Sequence, residues 1–513
     1  MTRNTKICGT TLCGIMAALM GGGLLLAPVV GMAQQTASQQ GNPEDAVFPL
    51  TTKSPEARRL AEESLWLSVD RAERKESAEI LRKALQIDPE FAMAHEFSAL
   101  ISQNSADQLS EQEKASATRN HASPPEQMAI EWLQDAADNK LMSAIPKMNV
   151  LLRQYPHDKR VVWMAVLWLR RQTQYERAIA VYEGSGITDS PGLMNNTAYN
   201  YAHIRQFNKA FAMMDQYVAA LPNDANPQDS YAEILRMAGL FDRAIEHYRA
   251  ALAINPQFYA SQFGIADTYA LMGDQVRARR EYAIGFQKFS ALELQEIRWR
   301  TREATTFIRE GDYEGAGRAF QAIADYARSR QNGRAESDTY RQMAIYQQNP
   351  KQALIFLDKA EAVTRKAGNP LKIAMVQELA QILRARVEVD LKMGKKKMAD
   401  SDVARLAKMS ESSGDKQIEV EYHGANGAVL FSQHKYDEAI SHLEEDPDNP
   451  FSLRLLVVAY QKIGYSAGAK WASEILANLN DPTLEQALVV PAFRKCYDTP
   501  ACSDHAKAAP LHR

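Results

Sequence analysis

The sequence predicts an all-α fold in which short helical hairpins stack into an α-α superhelical solenoid. Two stretches, beginning at Ala225 and Tyr259, align with each other without a gap over 34 residues. Within each stretch, apolar residues recur at the spacing of an amphipathic helix. The helix-breaking residues Pro222 and Pro256 also lie 34 residues apart. Because one hairpin of this size cannot bury its apolar face alone, several copies are expected to stack.

Small residues occupy two equivalent positions in each copy. Ala232 and Ala266 fall in the first predicted helix, and Ala244 and Ala278 fall in the second. Only a small side chain lets two helices approach to ~8–10 Å, so these positions predict where the helices touch. The large aromatic and aliphatic residues between them are expected to fill the surrounding space.

Glycine and proline predict where the helices end. Gly239 and Gly273 follow the first helix of each copy, where glycine adopts the left-handed conformation without strain. Asn255 and Pro256 follow a second helix, because proline has no N–H to donate and restricts the residue before it. Each copy is therefore predicted to be a helical hairpin.

This spacing of small residues, aromatic residues, glycine and proline resembles the tetratricopeptide repeat family. The matching residues are Ala232, Gly239, Phe241, Ala244, Tyr248, Ala251 and Pro256. The resemblance implies a concave surface, lined mainly by the first helix of each hairpin, that binds another polypeptide.

The resemblance extends along most of the chain in three parts. Residues 55–330 are predicted to form an array, in which residues 91–120 make a degenerate hairpin without the small-residue positions. Residues 331–413 are predicted to form divergent hairpins with longer helices. Residues 414–490 return to the repeat pattern.

Residues 1–33 are predicted to be a secretory signal peptide. An apolar run extends from Ile15 to Val30 after two basic residues, and small residues next to it favour cleavage after Ala33. An uncleaved membrane anchor is the alternative, and it would be the protein's only membrane contact. Residues 34–54 are polar and aperiodic, which predicts a flexible linker. The protein is therefore expected to be periplasmic or secreted.

Charge and motifs argue against nucleic-acid binding and catalysis. The chain has 60 Lys plus Arg and 63 Asp plus Glu, giving a formal net charge of −3, and the charges are interleaved along the predicted helices. No Walker, Rossmann or GxSxG pattern occurs, and the histidines are scattered without an HExxH motif. We therefore expect no cofactor, no metal site, no small-molecule substrate and no enzyme activity.

The C-terminal tail, residues 491–513, contains the two cysteines that remain after signal cleavage. Export to an oxidising compartment favours a disulfide between Cys496 and Cys502. A zinc site formed with His505 and His512 is the alternative.

Candidate groove residues follow from the inward-facing positions of each first helix. They are Arg160, Trp163, Arg170, Asn195, Tyr199, Asp229, Glu233, Arg236, Phe263 and Asp267. Some family members hold a partner's C-terminal carboxylate at these positions with lysines and asparagines. Here only Asn195 matches, and Asp229 and Glu233 would repel a carboxylate. The aromatic residues instead favour an extended peptide or a partner helix as the ligand, unless they only pack between hairpins.

The sequence thus predicts a non-catalytic scaffold of the bacterial cell envelope that binds a partner protein. Two alternatives remain open, which are an envelope sensor or regulatory subunit and a carbohydrate- or peptidoglycan-active enzyme on a helical scaffold.

Overall fold

The computed structural model of the protein describes residues 46–71, 74–102, 105–138, 140–288, 293–366 and 373–497. Within these ranges the chain forms 25 α-helices and no β-strand, so the prediction of an all-α helical repeat array is confirmed. The predicted signal peptide, residues 34–45 of the linker, and Cys502, His505 and His512 lie outside the described residues. No helix in the described ranges combines the length and apolarity needed to cross a membrane.

The helices follow one another with short connections. In chain order they are α1 (Pro55–Asp70), α2 (Arg74–Ile87), α3 (Ala92–Ile101), α4 (Ser105–Thr118), α5 (Pro124–Ala137), α6 (Leu141–Gln154), α7 (Lys159–Arg171), α8 (Tyr175–Ser185), α9 (Pro191–His203), α10 (Phe207–Ala220), α11 (Ala225–Met237), α12 (Phe241–Ile254), α13 (Tyr259–Met272), α14 (Gln275–Lys288), α15 (Glu293–Glu310), α16 (Tyr313–Ser329), α17 (Gly333–Ile345), α18 (Pro350–Lys366), α19 (Ile373–Lys392), α20 (Lys396–Ser413), α21 (Lys416–Ser432), α22 (Tyr436–Leu443), α23 (Pro450–Lys462), α24 (Ser466–Ala477) and α25 (Leu484–Arg494).

The two 34-residue copies form the hairpins α11–α12 and α13–α14. Ala232 and Ala244 are fully buried at the contact within the first hairpin, as are their counterparts in the second. Gly239 and Gly273 have φ angles of +79° and +91°, the left-handed conformation that a glycine accommodates best. Sequence spacing therefore predicted both the packing positions and the turn geometry of these hairpins.

The end of the predicted linker is packed, which differs from the prediction of a flexible tether up to residue 54. Phe48 and Leu50 are 1% and 5% exposed and join the core of the first hairpins. The backbone N–H of Phe48 donates to Asp158 Oδ2 at 2.8 Å, and that of Thr51 donates to Glu126 Oε1 at 2.7 Å. Burial of apolar side chains and hydrogen bonds to carboxylates therefore hold this short stretch against the array.

Candidate binding cavity

The odd-numbered helices form the inner wall of the array. Contacts run from α7 to α9, from α9 to α11 and from α11 to α13, so inward-facing side chains of these helices share one surface. A cavity of about 400 Å³ opens on this wall. Its lining includes Trp163, Leu167, Arg170, Asn195, Asn196, Tyr199, His203, Tyr217, Asn226, Asp229, Glu233, Arg298 and Asp481.

One side of the cavity is aromatic and cationic. The guanidinium carbon of Arg170 lies 4.6 Å from the centroid of the Tyr199 ring, and Arg170 Nη1 donates to Asn196 Oδ1 at 3.3 Å. The ring of His203 stacks on Tyr175 with 4.4 Å between centroids. Burial lowers the pKa of His203, and the nearby charge of Arg170 lowers it further, so this imidazole is neutral at pH 7.

The opposite side carries two carboxylates one helical turn apart on α11. Asp229 Oδ1 accepts a hydrogen bond from Ser261 Oγ at 2.6 Å, and burial raises the pKa of Asp229 to about 7, with a contribution from the neighbouring charge of Glu233. Burial would also raise the pKa of Glu233. Its ion pair with Arg236 at 3.2 Å and the hydrogen bond from Tyr199 Oη at 2.7 Å instead lower that pKa to about 2. The two acids therefore differ in charge state near pH 6.

A segment of the C-terminal region, residues 478–483, lies on the inner wall beside the cavity. Arg236 Nη1 donates to the backbone carbonyl of Asn480 at 3.1 Å, and Asn480 Nδ2 donates to the carbonyl of Met237 at 3.2 Å. The next residue, Asp481, lines the cavity. The inner wall thus binds a non-helical stretch of polypeptide through its backbone, and that polypeptide belongs to the chain itself.

The C-terminal helix continues this contact along the inner wall. α25 packs against α15, and its residues Leu484 and Ala487 share a hydrophobic cluster with Ile297 and Tyr340. Gln417 Nε2 of α21 donates at 3.0 Å to the backbone carbonyl of Arg171, a cavity residue at the end of α7. The inner wall is therefore partly covered by later parts of the same chain.

Six of the ten candidate groove residues meet at the cavity, namely Trp163, Arg170, Asn195, Tyr199, Asp229 and Glu233. Arg160 faces elsewhere, because it pairs with Asp158 at 2.6 Å and donates to the carbonyl of Phe48 at 2.6 Å. Arg236 is 2% exposed behind Glu233. That any of the ten binds a partner stays a prediction.

The remaining two candidates are buried between hairpins. Phe263 is fully buried, and its ring stacks on that of Trp299 with 4.7 Å between centroids. Asp267 is 1% exposed, accepts a hydrogen bond from Tyr282 Oη at 2.5 Å and forms an ion pair with Arg302. For Phe263 the structure has the alternative that the sequence left open for the aromatic residues, packing between hairpins, and Asp267 is buried as well. Neither side chain is available to a partner in this conformation.

Arg298 and Asp481 are among the cavity residues that the sequence did not predict. Arg298 belongs to α15. That helix follows the two 34-residue copies, so their register does not predict which of its positions face inward. Asp481 comes from the far end of the chain and reaches the cavity only because the C-terminal region folds back. No local pattern in the sequence signals that return.

Within the described ranges, no group of three or more His, Cys, Asp or Glu side chains is placed to share a metal ion. Two histidines of the hairpin α21–α22 do meet, with 2.8 Å between the Nδ1 atoms of His423 and His442. Asn426 Nδ2 lies 3.0 Å from His442 Nε2. Burial lowers the pKa of both histidines, so both rings are neutral at pH 7 and one Nδ1–H donates to the other Nδ1.

No family model and no curated protein matches the sequence. The solved structures named below are similar to this chain only at low sequence identity. A tetratricopeptide repeat protein from Parabacteroides merdae is 14% identical, with a TM-score of 0.35, and the match covers 56% of this chain and 99% of that one. Yeast Tom70 is 11% identical, with a TM-score of 0.40, and the match covers 89% of this chain and 93% of Tom70.

A further similar structure is the human IFIT1 dimer with PPP-AAAA, which is 13% identical with a TM-score of 0.39. That match covers 77% of this chain and 95% of IFIT1.

Proposed function

We propose that this protein is a non-catalytic scaffold that binds a segment of a partner polypeptide at the inner-wall cavity. The observation that carries the proposal is the cavity itself, where aromatic, arginine and carboxylate side chains of α7, α9 and α11 converge on a volume of about 400 Å³. Tyrosine, tryptophan and arginine are the residues that most often dominate binding energy at protein interfaces.

The chain's own segment 478–483 supports the choice of a polypeptide as ligand. A buried arginine donates to its backbone carbonyl, and a side-chain amide donates to the last turn of α11. A partner segment could use the same two kinds of contact, backbone recognition from the wall and side-chain anchoring in the cavity.

A photo-crosslinker tests the proposal at the site. We expect benzoylphenylalanine in place of Leu167, which lines the cavity, to crosslink one partner polypeptide through a single mapped segment. The same probe in place of Ala283, exposed on α14, should capture nothing in common with it. Asn195→Trp, which fills the cavity without removing a core side chain, should abolish the Leu167 adduct. Equal capture from both probe positions, or an adduct unchanged by Asn195→Trp, would contradict the proposal.

We further propose that the scaffold works in the bacterial cell envelope. This location rests on the signal-peptide pattern in residues 1–33. Mass spectrometry of the protein from its native cells should find an N-terminus at Gln34 in the periplasmic or secreted fraction. A full-length chain in the cytosolic fraction would contradict this location.

A further inference from the structure

The cavity contains two groups of opposite charge that form no ion pair with a described residue, although the charges of Arg236 and Arg298 act on Asp229 and the charge of Glu233 acts on Arg298. Asp229 accepts its hydrogen bond from the neutral Ser261 and forms no ion pair with any described residue. Arg298 likewise forms no ion pair within the described ranges, and its guanidinium carbon lies 5.0 Å from the centroid of the Trp299 ring. A carboxylate and a guanidinium thus line one cavity without joining each other.

The neighbouring acid, Glu233, does not share the lack of an ion pair that distinguishes Asp229. Glu233 lies one turn farther along α11 and is satisfied from within the protein by Arg236 and Tyr199. Removing charge from water is costly unless a partner compensates for it. Asp229 therefore keeps the capacity to accept a cationic group from a ligand, whereas Glu233 does not.

The other charged groups at the cavity also include both signs of charge. Arg170 has a neutral hydrogen-bond partner and stacks on Tyr199, and the carboxylate of Asp481 enters from the C-terminal segment. A site with exposed charge of both signs disfavours a ligand of a single sign, because one of its walls would repel such a ligand. It favours a ligand that carries an ammonium group and a carboxylate together.

We infer that the cavity binds a short peptide with free ends, whose α-ammonium group pairs with Asp229 and whose terminal carboxylate pairs with Arg298. The inference goes beyond the proposed function, because a short peptide with two free ends is a different ligand from a segment within a partner chain. It rests on the proposed function only in taking the inner-wall cavity as the binding site. It also differs from the expectation, drawn from the sequence, that no small molecule binds. The volume of about 400 Å³ falls in the ordinary range for small-ligand sites, roughly 300–1,000 Å³.

The pH dependence of binding follows from the charge state of Asp229. Burial and the charge of Glu233 raise the pKa of Asp229 to about 7, so a large part of this carboxyl is protonated at pH 6. An ammonium group binds the ionised form. Binding should therefore strengthen from pH 6 to about pH 7.5 and weaken again above pH 8, where the α-ammonium group of the peptide, with a pKa of ~7.7–8.0, loses its proton. Glu233 stays ionised throughout this range because its pKa is about 2.

Isothermal titration calorimetry with alanine peptides of one to four residues tests the inference. We expect at least one free peptide of this series to bind, and we expect N-acetylation or C-amidation of it to weaken binding about tenfold or more, the cost of one lost ion pair of ~1.4 kcal/mol. Free alanine, the shortest member, shows whether a single zwitterion is enough.

Two variants assign each end of the peptide to its residue. Asp229→Asn should bind the free and the N-acetylated peptide equally while still discriminating against the amide. Arg298→Gln should do the reverse. Arg318→Gln, on the exposed face of α16, is the control and should behave as the unmodified protein. Each comparison is made between free and capped peptides on the same variant. A general loss of stability weakens the binding of both peptides alike, so it cannot produce this crossed pattern.

Failure of this inference can be told apart from failure of the proposed function. If no peptide of the series binds, or if capped and free peptides bind equally, the inference is wrong. If the Leu167 crosslinker still captures a partner in that case, the proposed function stands without it. If neither peptide binding nor capture occurs, both are wrong.

Discussion

The hairpins α11–α14 and the helices α19–α21 bring their backbones together in similar ways but fill the space between them differently. In the first region the neighbour of a helical glycine is an aromatic ring. A Cβ added to Gly264 would lie 2.4 Å from the ring of Tyr248, and one added to Gly285 would lie 2.6 Å from the ring of Phe263. The group that fills the space beside these glycines is apolar, so it needs no hydrogen-bond or charged partner.

In the second region the neighbour of the equivalent glycine is a buried cation. A Cβ added to Gly424 on α21 would lie 2.4 Å from the guanidinium carbon of Arg384 on α19. Arg384 is 5% exposed, and its Nη2 donates to Asp446 Oδ2 at 2.6 Å and to Ser452 Oγ at 2.9 Å. Arg384 also forms an ion pair with Glu421 at 3.2 Å and a longer one with Glu388 at 3.7 Å.

The difference teaches how the two regions should respond to substitution. Overpacking an apolar contact of the first region should cost ~1–3 kcal/mol, since the neighbouring apolar atoms can shift. Removing one partner of a buried ion pair should cost more, ~3–5 kcal/mol, because the partner left behind keeps its charge in a place that water barely reaches. The regular repeat therefore predicts which positions are closely packed, but it does not predict which substitution lowers stability most.

Arg384→Met is expected to have the largest effect. The methionine fills most of the volume but leaves Asp446 and Glu421 as buried acids without their cation, so the free energy of unfolding should fall by ~3–5 kcal/mol. Urea denaturation followed by circular dichroism measures the change. The matched control is Arg318→Met, which breaks an exposed ion pair with Glu314 and should cost under ~0.5 kcal/mol. Equal effects for the two variants would remove the proposed distinction between the regions.

Ala244→Leu probes the aromatic region and should rank second. Ala244 is fully buried where α12 meets α11, and three added carbons would force the helices apart at a cost of ~1–3 kcal/mol. The control is Ala283→Leu on the exposed side of α14, which should be close to neutral. An unchanged melting temperature for Ala244→Leu would contradict the register assigned to the repeats.

Sequence spacing was a sufficient guide where contacts are local. The small residues, the turn glycines and the end of each helix in α11–α14 all follow from patterns within 34 residues. The inward-facing positions of α7, α9 and α11 could also be counted, and six of the resulting residues do line the cavity.

The rest depends on which side chains the next hairpin supplies and on contacts between distant parts of the chain. Phe263 and Asp267 occupy counted inward positions, yet Trp299 and Arg302 of α15, about one repeat farther along the chain, cover them. Residues 478–483 return to α11 through Asn480, and Phe48 returns to Asp158. These two returns leave no periodic signature, because each is made once and at a separation that the repeat length does not set.

Asp229→Asn tests charge on the inner wall of the regular region. A buried acid whose pKa is raised to about 7 binds more protons when folded than when unfolded, so stability falls as the pH rises from ~4 to ~7. The neutral amide removes that penalty. The variant should therefore be ~1–2 kcal/mol more stable than the unmodified protein at pH 8, with much of the difference gone at pH 4. Solvent in the open cavity screens the charge of Asp229, which keeps the difference in this modest range.

Glu233→Gln is the opposing control on the same helix. The pKa of Glu233 is lowered to about 2, so its contribution to stability is present above the unfolded value of ~4.3 and is lost as the pH falls toward 2. This variant should be less stable than the unmodified protein at pH 7. If Asp229→Asn and Glu233→Gln shift the free energy of unfolding in the same direction at pH 8, the opposite pKa shifts assigned to the two acids are wrong.

Gly273→Ala and Gly394→Ala compare the turns of the two regions and should have the smallest effects on stability. The glycines lie in the turns α13–α14 and α19–α20, with φ angles of +91° and +69°, and a Cβ at either position would meet no atom within 4 Å. Backbone strain is then the only cost, and it should be ~1 kcal/mol in each variant.

The turns α7–α8, α9–α10 and α21–α22 support that modest figure, because Thr173, Arg205 and His434 adopt positive φ angles at the corresponding place. Thermal denaturation of the two glycine variants side by side measures the difference. Losses that agree within about 0.5 kcal/mol would show that the turns are equivalent and that the regions differ only in what fills the space between helices. A neutral Gly394→Ala would instead show that the turn after α19 relaxes freely, and the contrast between the regions would then extend to their backbones.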